Sequence, residues 1–125
     1  MEAIYTADAP AAIGPYSQGI LHAGFFYSSG QIPLNPSTGK LVGEGIEEQA
    51  EQVMKNISFL LEQAGTSFKN VVKTTCFLTD MKDFQIFNQV YSKYFISRPA
   101  RSCVAVKTLP QNARCEVEVV AVVEK

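Results

Sequence analysis

Two charged side chains stand at the start of apolar stretches near the end of the chain. Arg101 opens one valine-rich run, and Glu116 opens the next one. Strand side chains alternate between two faces, so Arg101 is expected to share a face with Cys103, and Glu116 with Glu118 and Val120. A guanidinium does not lose its proton near neutral pH, so an arginine among apolar neighbours needs an anionic partner or an anionic ligand.

The composition narrows the possible classes of protein. The chain has 125 residues and is 46% hydrophobic, which favours one globular domain over residues 1–125. Its net charge is −1, from 11 basic and 12 acidic residues, and no basic patch emerges, so nucleic acid is an unlikely main partner. Cys76, Cys103 and Cys115 are odd in number and lack Cys-x-x-Cys spacing. They predict neither a disulfide framework nor a zinc site, and we expect them to be buried apolar side chains.

The start of the chain lacks the basic and apolar regions of a signal peptide, and no apolar run reaches transmembrane length. We therefore predict no membrane association and a reducing compartment, most simply the cytoplasm, with import into an organelle left open. His22, the only histidine, lies beside Ala23-Gly24 and is expected to be a solvated turn residue rather than a catalyst.

Hydrophobic spacing predicts the elements that must position these residues. Apolar residues at spacings of three and four predict helices over residues 46–64 and 81–96, with Gly65 ending the first and Asp80 capping the second. Alternating or continuous apolar runs predict strands within 4–12, a hairpin over 17–32, a strand over 70–78 and two closing strands separated by a loop at 107–114.

The predicted order is β-β-β-α-β-α-β-β, an α+β fold in which two helices cover one face of a mixed sheet. The closing strands are apolar on both faces, apart from the arginine and the glutamates. Another copy of the chain is the simplest cover for the second face.

Five short motifs in this order resemble the Rid family, also called YjgF, of reactive-intermediate (enamine/imine) deaminases. The resemblance covers residues 4–124. The motifs are Gly14-Pro15-Tyr16-Ser17-Gln18, Ser29-Gly30-Gln31-Ile32-Pro33, residues 73–81, Asn88 with Tyr91, and Pro99-Ala100-Arg101-Ser102.

The resemblance implies a chorismate-mutase-like homotrimer with sites between its subunits. It implies hydrolysis of 2-imino acids, such as 2-iminobutanoate and 2-iminopropanoate, to 2-keto acids and ammonia. Such imines arise on pyridoxal-phosphate enzymes, which this activity would protect. No cofactor and no metal is implied.

The resemblance also suggests roles for individual residues. Arg101 would bind the substrate carboxylate through its planar fork, the alternative being an ion pair with Glu116 or another carboxylate. Glu116 would hold and deprotonate the attacking water, the alternative being a half-exposed strand carboxylate. The pKa of Glu116 is expected to respond to burial and to Arg101 in opposite directions.

The remaining candidates form the wall of the site. Tyr16 would come from the neighbouring subunit, Ser29 and Gly30 would let the substrate approach the backbone, and Cys103 would contribute its backbone rather than its sulfur. Three of these residues have a purely structural alternative. Tyr16 could be a packed loop aromatic, Gly30 a plain glycine at the end of a strand, and Cys103 a buried thiol. Asn88 lies on an apolar helical stripe, where its amide is expected to form a hydrogen bond. It either binds loop backbone in a structural role or supports the site.

Two other functions stay open. One is a non-catalytic trimer that senses 2-keto acids or other carboxylates, or acts like a chaperone. It would use Arg101 and would have little need of Glu116. The other is an endoribonuclease or translation inhibitor, which the near-neutral charge disfavours.

Overall fold

The computed structural model describes residues 1–124, so Lys125 of the predicted domain lies outside the described residues. The predicted element order is confirmed. The elements are β1 (Glu2–Ile4), β2 (Gly19–His22), β3 (Phe25–Ser28), α1 (Ile46–Ala64), β4 (Val71–Leu78), α2 (Phe84–Tyr94), β5 (Ala100–Ala105) and β6 (Cys115–Val122). Short 3-10 turns span Phe68–Asn70, Met81–Asp83 and Pro110–Asn112.

Two predicted boundaries were wrong. The first strand ends at Ile4, and residues 5–12 run irregularly because the side chain of Gln18, rather than a neighbouring strand, binds their backbone. The second predicted helix divides into two parts. The first is a 3-10 turn in which the N–H of Lys82 donates to the Asp80 carboxylate, and the second is α2, which ends at Tyr94.

The six strands lie in the order β1-β2-β3-β6-β4-β5. All neighbours are antiparallel except β4 and β5, which are parallel and connected through α2. Parallel neighbours require a crossover of this kind, since a tight turn reverses the chain direction. The crossover places α2 beside β5, the strand that carries Arg101.

Both helices cover the same face of the sheet, as predicted. The buried core between the layers includes Phe26, Ile57, Cys76, Phe87 and Val117, all fully inaccessible to solvent. The α1 helix begins where Glu48 accepts hydrogen bonds from the N–H groups of Glu44 and Gly45, and it ends at Gly65 with φ of 85°. A glycine adopts this left-handed backbone without the steric cost of a Cβ atom.

The opposite side of the sheet has no cover within residues 1–124, and we call it the open face. Its side chains include Phe25, Tyr27 and Val104, which are 39%, 45% and 46% exposed, together with Glu116 and Glu118. On β6 the alternation is strict, with Cys115 and Val117 buried under the helices. Large apolar side chains exposed side by side mark a surface that associates with another surface.

Candidate functional site

Arg101 lies on the helix-covered face, at the edge of the sheet. Its neighbour on β4 is Thr74, whose hydroxyl is 2.7 Å from the phenol oxygen of Tyr91 on α2. The Nη1 atom of Arg101 donates to Oδ1 of Asn88 at 2.8 Å, and the guanidinium carbon lies 4.7 Å from the centre of the Tyr91 ring. Neither contact neutralises the charge. Among residues 1–124 the ion pairs are Lys93–Glu51 and Arg114–Asp83, so Arg101 has no carboxylate partner there.

The α2 helix presents the groups that orient this guanidinium. Phe84, Asn88 and Tyr91 follow one another at spacings of four and three and therefore share a helical face. Phe84 adds a second ring, 5.5 Å from the guanidinium carbon. Burial raises the pKa of Tyr91, so its phenol stays neutral and serves as a hydrogen-bonding and stacking group. The sequence placed Phe84 and Tyr91 on the apolar helical stripe that carries Asn88, but it gave neither ring a role at the site.

A cleft of about 740 Å³ opens beside Arg101, between α2 and the start of β5. Asn88 and Tyr91 line it, as do Phe95 and Arg98. Cys103 follows Arg101 on the same strand face, as predicted, but it packs against the core and does not line this cleft. Burial raises the pKa of the Cys103 thiol, which keeps it protonated and a weak nucleophile.

Glu116 lies on the open face, next to Phe77 of β4. Burial raises the pKa of its carboxyl, and the negative charge of Glu118 on the same face raises it further. The predicted lowering by Arg101 is absent within one chain, because the two residues lie on opposite faces. The ionised form of a carboxyl group with a raised pKa is a stronger base than an ordinary glutamate.

Gly30 lies directly against the Glu116 carboxylate. A Cβ atom built on Gly30 would lie 1.9 Å from Oε2 of Glu116, far inside any permitted contact. The backbone pairing of Gln31 with Val117 fixes this approach. The N–H of Gln31 donates to the Val117 carbonyl with an N-to-O distance of 2.8 Å, and the N–H of Val117 donates to the Gln31 carbonyl at 3.1 Å. The missing side chain therefore makes room for Glu116, besides any room it leaves for a ligand.

Ser29 and Tyr16 lie near Gly30, Ser29 as its neighbour in the chain and Tyr16 in a loop that borders the same small cavity. The Ser29 hydroxyl donates to the Ser17 carbonyl at 2.6 Å, and its N–H donates to the Gln18 carbonyl at 2.9 Å. Tyr16 is 49% exposed and borders, with Gly30, a small cavity of about 30 Å³. Its phenol oxygen accepts only a long hydrogen bond, 3.4 Å, from the N–H of Ile13. The phenol thus remains available to a further partner.

Two buried amides that the sequence reasoning did not single out hold these loops. The Gln18 side chain accepts from the N–H of Thr6 and donates to the carbonyls of Thr6 and Pro10 at 2.7, 3.0 and 2.8 Å, respectively. Asn56 of α1, fully buried, donates to the carbonyls of Ile32 and Leu34 just beyond Gly30. A polar residue on the buried face of a helix was the readable signal for Asn56.

The structure thus brings the predicted residues together in two groups. The arginine half-site contains Arg101 and Asn88 on the helix-covered face, and the glutamate half-site contains Glu116, Gly30, Ser29 and Tyr16. Within one chain the sheet separates the half-sites. An ion pair between Arg101 and Glu116, the alternative that the sequence left open, is wrong for the single chain.

Among residues 1–124, no three His, Cys, Asp or Glu side chains are grouped so that they could hold a metal ion. No helix in this part of the chain has the length and hydropathy needed to cross a membrane.

Comparison with known proteins identifies the family. The model of the family described as endoribonuclease L-PSP matches residues 6–123. A candidate regulator, AldR of Lactococcus lactis, is 56% identical over 99% of both chains. The human 2-iminobutanoate/2-iminopropanoate deaminase is 49% identical, over 95% of this chain and 88% of the human protein. The crystal structure of Escherichia coli TdcF with bound serine superposes with a TM-score of 0.94 at 38% identity, over 99% of this chain and 100% of that one.

The chain belongs to the Rid (YjgF, endoribonuclease L-PSP) family, as its motifs indicated. Its α+β fold is the fold of that family. The names of its relatives cover a regulator, a deaminase and a family of endoribonucleases, so membership alone leaves the activity to be argued from the site.

Proposed function

We propose that this protein is a 2-imino-acid deaminase, which hydrolyses substrates such as 2-iminobutanoate and 2-iminopropanoate to 2-keto acids and ammonia. The observation that carries the proposal is the Arg101 guanidinium. It is oriented by Asn88 and Tyr91, yet it has no carboxylate partner among residues 1–124. An oriented, unneutralised guanidinium at a cleft is suited to bidentate capture of a carboxylate from outside the chain.

The complete site is formed between two subunits of a homotrimer of single Rid-type domains. Arg101 and Glu116 lie on opposite faces of the same sheet, so one small molecule cannot reach both within one chain. Burial of the open face against another copy would cover Phe25, Tyr27 and Val104. It would also bring the glutamate half-site of one subunit toward the arginine half-site of the next.

The reaction follows from these placements. Arg101 binds the carboxylate of a protonated imine. The walls of the site around this substrate are the Cys103 backbone, Ser29, Gly30 and the Tyr16 phenol. Glu116 accepts a proton from water while the water oxygen forms a bond to the imine carbon and the C=N π electrons move to nitrogen. Glu116 returns this proton to the amine nitrogen of the resulting carbinolamine and then accepts the hydroxyl proton as the C=O bond forms and the C–N bond breaks. Ammonia and the 2-keto acid leave, and the proton on Glu116 passes to ammonia, which restores the carboxylate.

The raised pKa of Glu116 suits this role. The carboxylate must be ionised to take the proton, and burial makes the ionised form more basic than usual. Hydrolysis of an imine involves only proton transfers and the addition of water, so its atoms and charges balance without an oxidant or reductant. The human relative, which carries the name of this activity, supports the choice of substrate. Protection of pyridoxal-phosphate enzymes in the cytoplasm would be its physiological use.

A coupled assay tests the proposal. Threonine dehydratase generates 2-iminobutanoate, semicarbazide traps the fraction that escapes, and the wild type is compared with Arg101→Ala and Glu116→Gln. We expect faster imine loss with the wild type and no acceleration with either variant. A folded wild type that forms oligomers by light scattering but does not accelerate imine loss would refute the proposal for this substrate.

Carboxylate sensing is the second candidate, favoured by the regulator among the relatives and by the serine bound to TdcF. A sensor needs Arg101 and has little use for Glu116. Calorimetric binding of 2-oxobutanoate that requires Arg101, together with no turnover by the wild type, would favour it over the deaminase. Cleavage of RNA that persists in Arg101→Ala would instead favour the endoribonuclease activity that the family description names.

A further inference from the structure

A second arginine lines the cleft that Arg101 faces. Arg98 lies in the turn between α2 and β5 and contributes to the wall of the cleft of about 740 Å³. The other lining groups are neutral aromatic, aliphatic and polar residues, and no Asp or Glu within residues 1–124 lines this cleft. A chain whose net charge is −1 thus concentrates two guanidinium groups in one cavity.

The backbone around Arg98 is fixed. Arg98 has φ of 52°, a left-handed conformation that residues with a Cβ atom seldom adopt. The N–H of Arg98 donates to the Phe95 carbonyl at 3.0 Å, and the Ser97 hydroxyl donates to the Val71 carbonyl at 2.8 Å. Pro99 follows and restricts the turn further. The side chain therefore leaves the backbone at a defined point on the cleft wall.

Arg98 also has no ion pair within residues 1–124. Glu124 lines a neighbouring cleft that Arg98 borders as well, but the ion pairs in this part of the chain are Lys93–Glu51 and Arg114–Asp83. Unlike Arg101, Arg98 is exposed and stacks on no ring there. Its charge is available to a ligand that reaches beyond Arg101.

We propose that Arg98 is a specificity-determining residue that extends the substrate range to 2-imino acids with a second carboxylate on the side chain. This inference rests on the proposed deaminase function. Arg101 would hold the carboxylate next to the imine carbon, and Arg98 would bind the distal one. The cleft is far larger than 2-iminobutanoate, so a substrate with a second carboxylate has room. Oxidation of the amine of an acidic amino acid is the class of reaction that produces such imines.

The test compares two imines made in the same way. Flavin-dependent amino-acid oxidases, with catalase present, generate the imine of aspartate and the imine of 2-aminobutanoate, and semicarbazide trapping measures the loss of each. The variants are Arg98→Gln, which removes the charge, and Arg98→Lys, which keeps the charge without the planar fork. Lys40→Gln, in an exposed loop outside the cleft, is the control for net charge.

We expect Arg98→Gln to lower the ratio of kcat/KM for the dicarboxylic imine to kcat/KM for the monocarboxylic one by roughly three- to tenfold. Arg98→Lys should retain part of the ratio, and Lys40→Gln all of it. Added salt should reduce the ratio in the wild type and have little effect in Arg98→Gln, since exposed charges are screened. An unchanged ratio in Arg98→Gln would overturn the inference.

A separate readout distinguishes failure of this inference from failure of the deaminase function. If the wild type accelerates neither imine, the proposed deaminase is refuted, and calorimetric binding of oxaloacetate against 2-oxobutanoate then tests Arg98 alone. Preference for oxaloacetate that is lost in Arg98→Gln supports the assignment of Arg98. Equal preference in the wild type and Arg98→Gln overturns it.

Discussion

Replacement of Gly30 by alanine tests whether the position of the Glu116 carboxylate matters for catalysis. The new Cβ would lie 1.9 Å from Oε2 of Glu116, where ordinary contact begins at 3.4 Å, so the carboxylate must move by 1.5 Å. The backbone of Gly30 is not in the left-handed region, so alanine introduces no strain there. The atom displaced is the end of a flexible side chain, and the fold can yield at that point.

The expected consequence is a loss of activity without a comparable loss of stability. Displacement of a catalytic group by ~1 Å costs about 10²-fold in rate, so kcat for 2-iminobutanoate should fall by at least about 10²-fold. The free energy of unfolding should change by less than about 1 kcal/mol. Rotation of Glu116 away from the new Cβ costs some stability, and the lower backbone entropy of alanine in the unfolded chain offsets this cost.

Gly45→Ala is the matched control, since it is the same substitution far from either half-site. A Cβ on Gly45 would meet no atom closer than 3.4 Å, and φ is −86°. Gly45 is the N-cap of α1, where alanine is a poorer residue than glycine, so this variant should lose more thermal stability and keep its activity. The coupled imine assay and thermal unfolding are measured on both variants.

If Glu116 is the base, Gly30→Ala should lose activity and keep its stability, whereas Gly45→Ala should lose stability and keep its activity. Wild-type kcat in Gly30→Ala would refute the reasoning, whatever the effect of Glu116→Gln. A large drop in the melting temperature of Gly30→Ala, with activity lost in proportion to unfolded protein, would equally show that the contact is structural rather than catalytic.

Three further predictions concern residues in or beside the two half-sites. Asn88→Ala removes the acceptor that orients Arg101, so KM for 2-iminobutanoate should rise by about fivefold to tenfold in steady-state kinetics, with a smaller change in kcat. Glu118→Gln removes a charge that raises the pKa of Glu116, so the acid limb of the pH profile of kcat/KM should move to lower pH. Cys103→Ser should keep kcat within about twofold of the wild type, because burial raises the pKa of this thiol and disfavours the nucleophilic thiolate.

Each of these predictions has an outcome that contradicts it. An unchanged KM in Asn88→Ala would mean that the cation–ring contact alone orients Arg101. An acid limb that stays in place, in Glu118→Gln protein shown to be oligomeric, would assign the limb to another group. Loss of turnover in folded Cys103→Ser, or labelling of Cys103 by an alkylating reagent that substrate prevents, would revive a role for the sulfur.

Much of the fold was predictable because the patterns that specify it are local. The spacing of apolar residues and the glycine after Ala64 gave the bounds of α1 correctly. The alternation in β6 predicted that Glu116 and Glu118 share a face with Val120, and the strict alternation of burial along the strand agrees. The irregular run at 5–12 escaped prediction because its backbone hydrogen bonds go to Gln18, and such a partner leaves no periodic trace in the sequence.

The sequence by itself determined the residue types of the site and the order of the elements. An arginine and a glutamate at the heads of two apolar strands, with Asn88 on a helical stripe, are visible without coordinates. These features depend on the periodicity of side chains along helices and strands, which residues a few positions apart determine.

The tertiary structure alone decided how these residues are grouped. The registers of β4 with β5 and with β6 place Arg101 beside Thr74 but Glu116 beside Phe77, on opposite faces of the sheet. Register depends on pairing between residues distant in the chain, and a shift of one residue would reverse every face. For this reason the sequence predicted one constellation, whereas the folded chain carries two half-sites on opposite faces of its sheet.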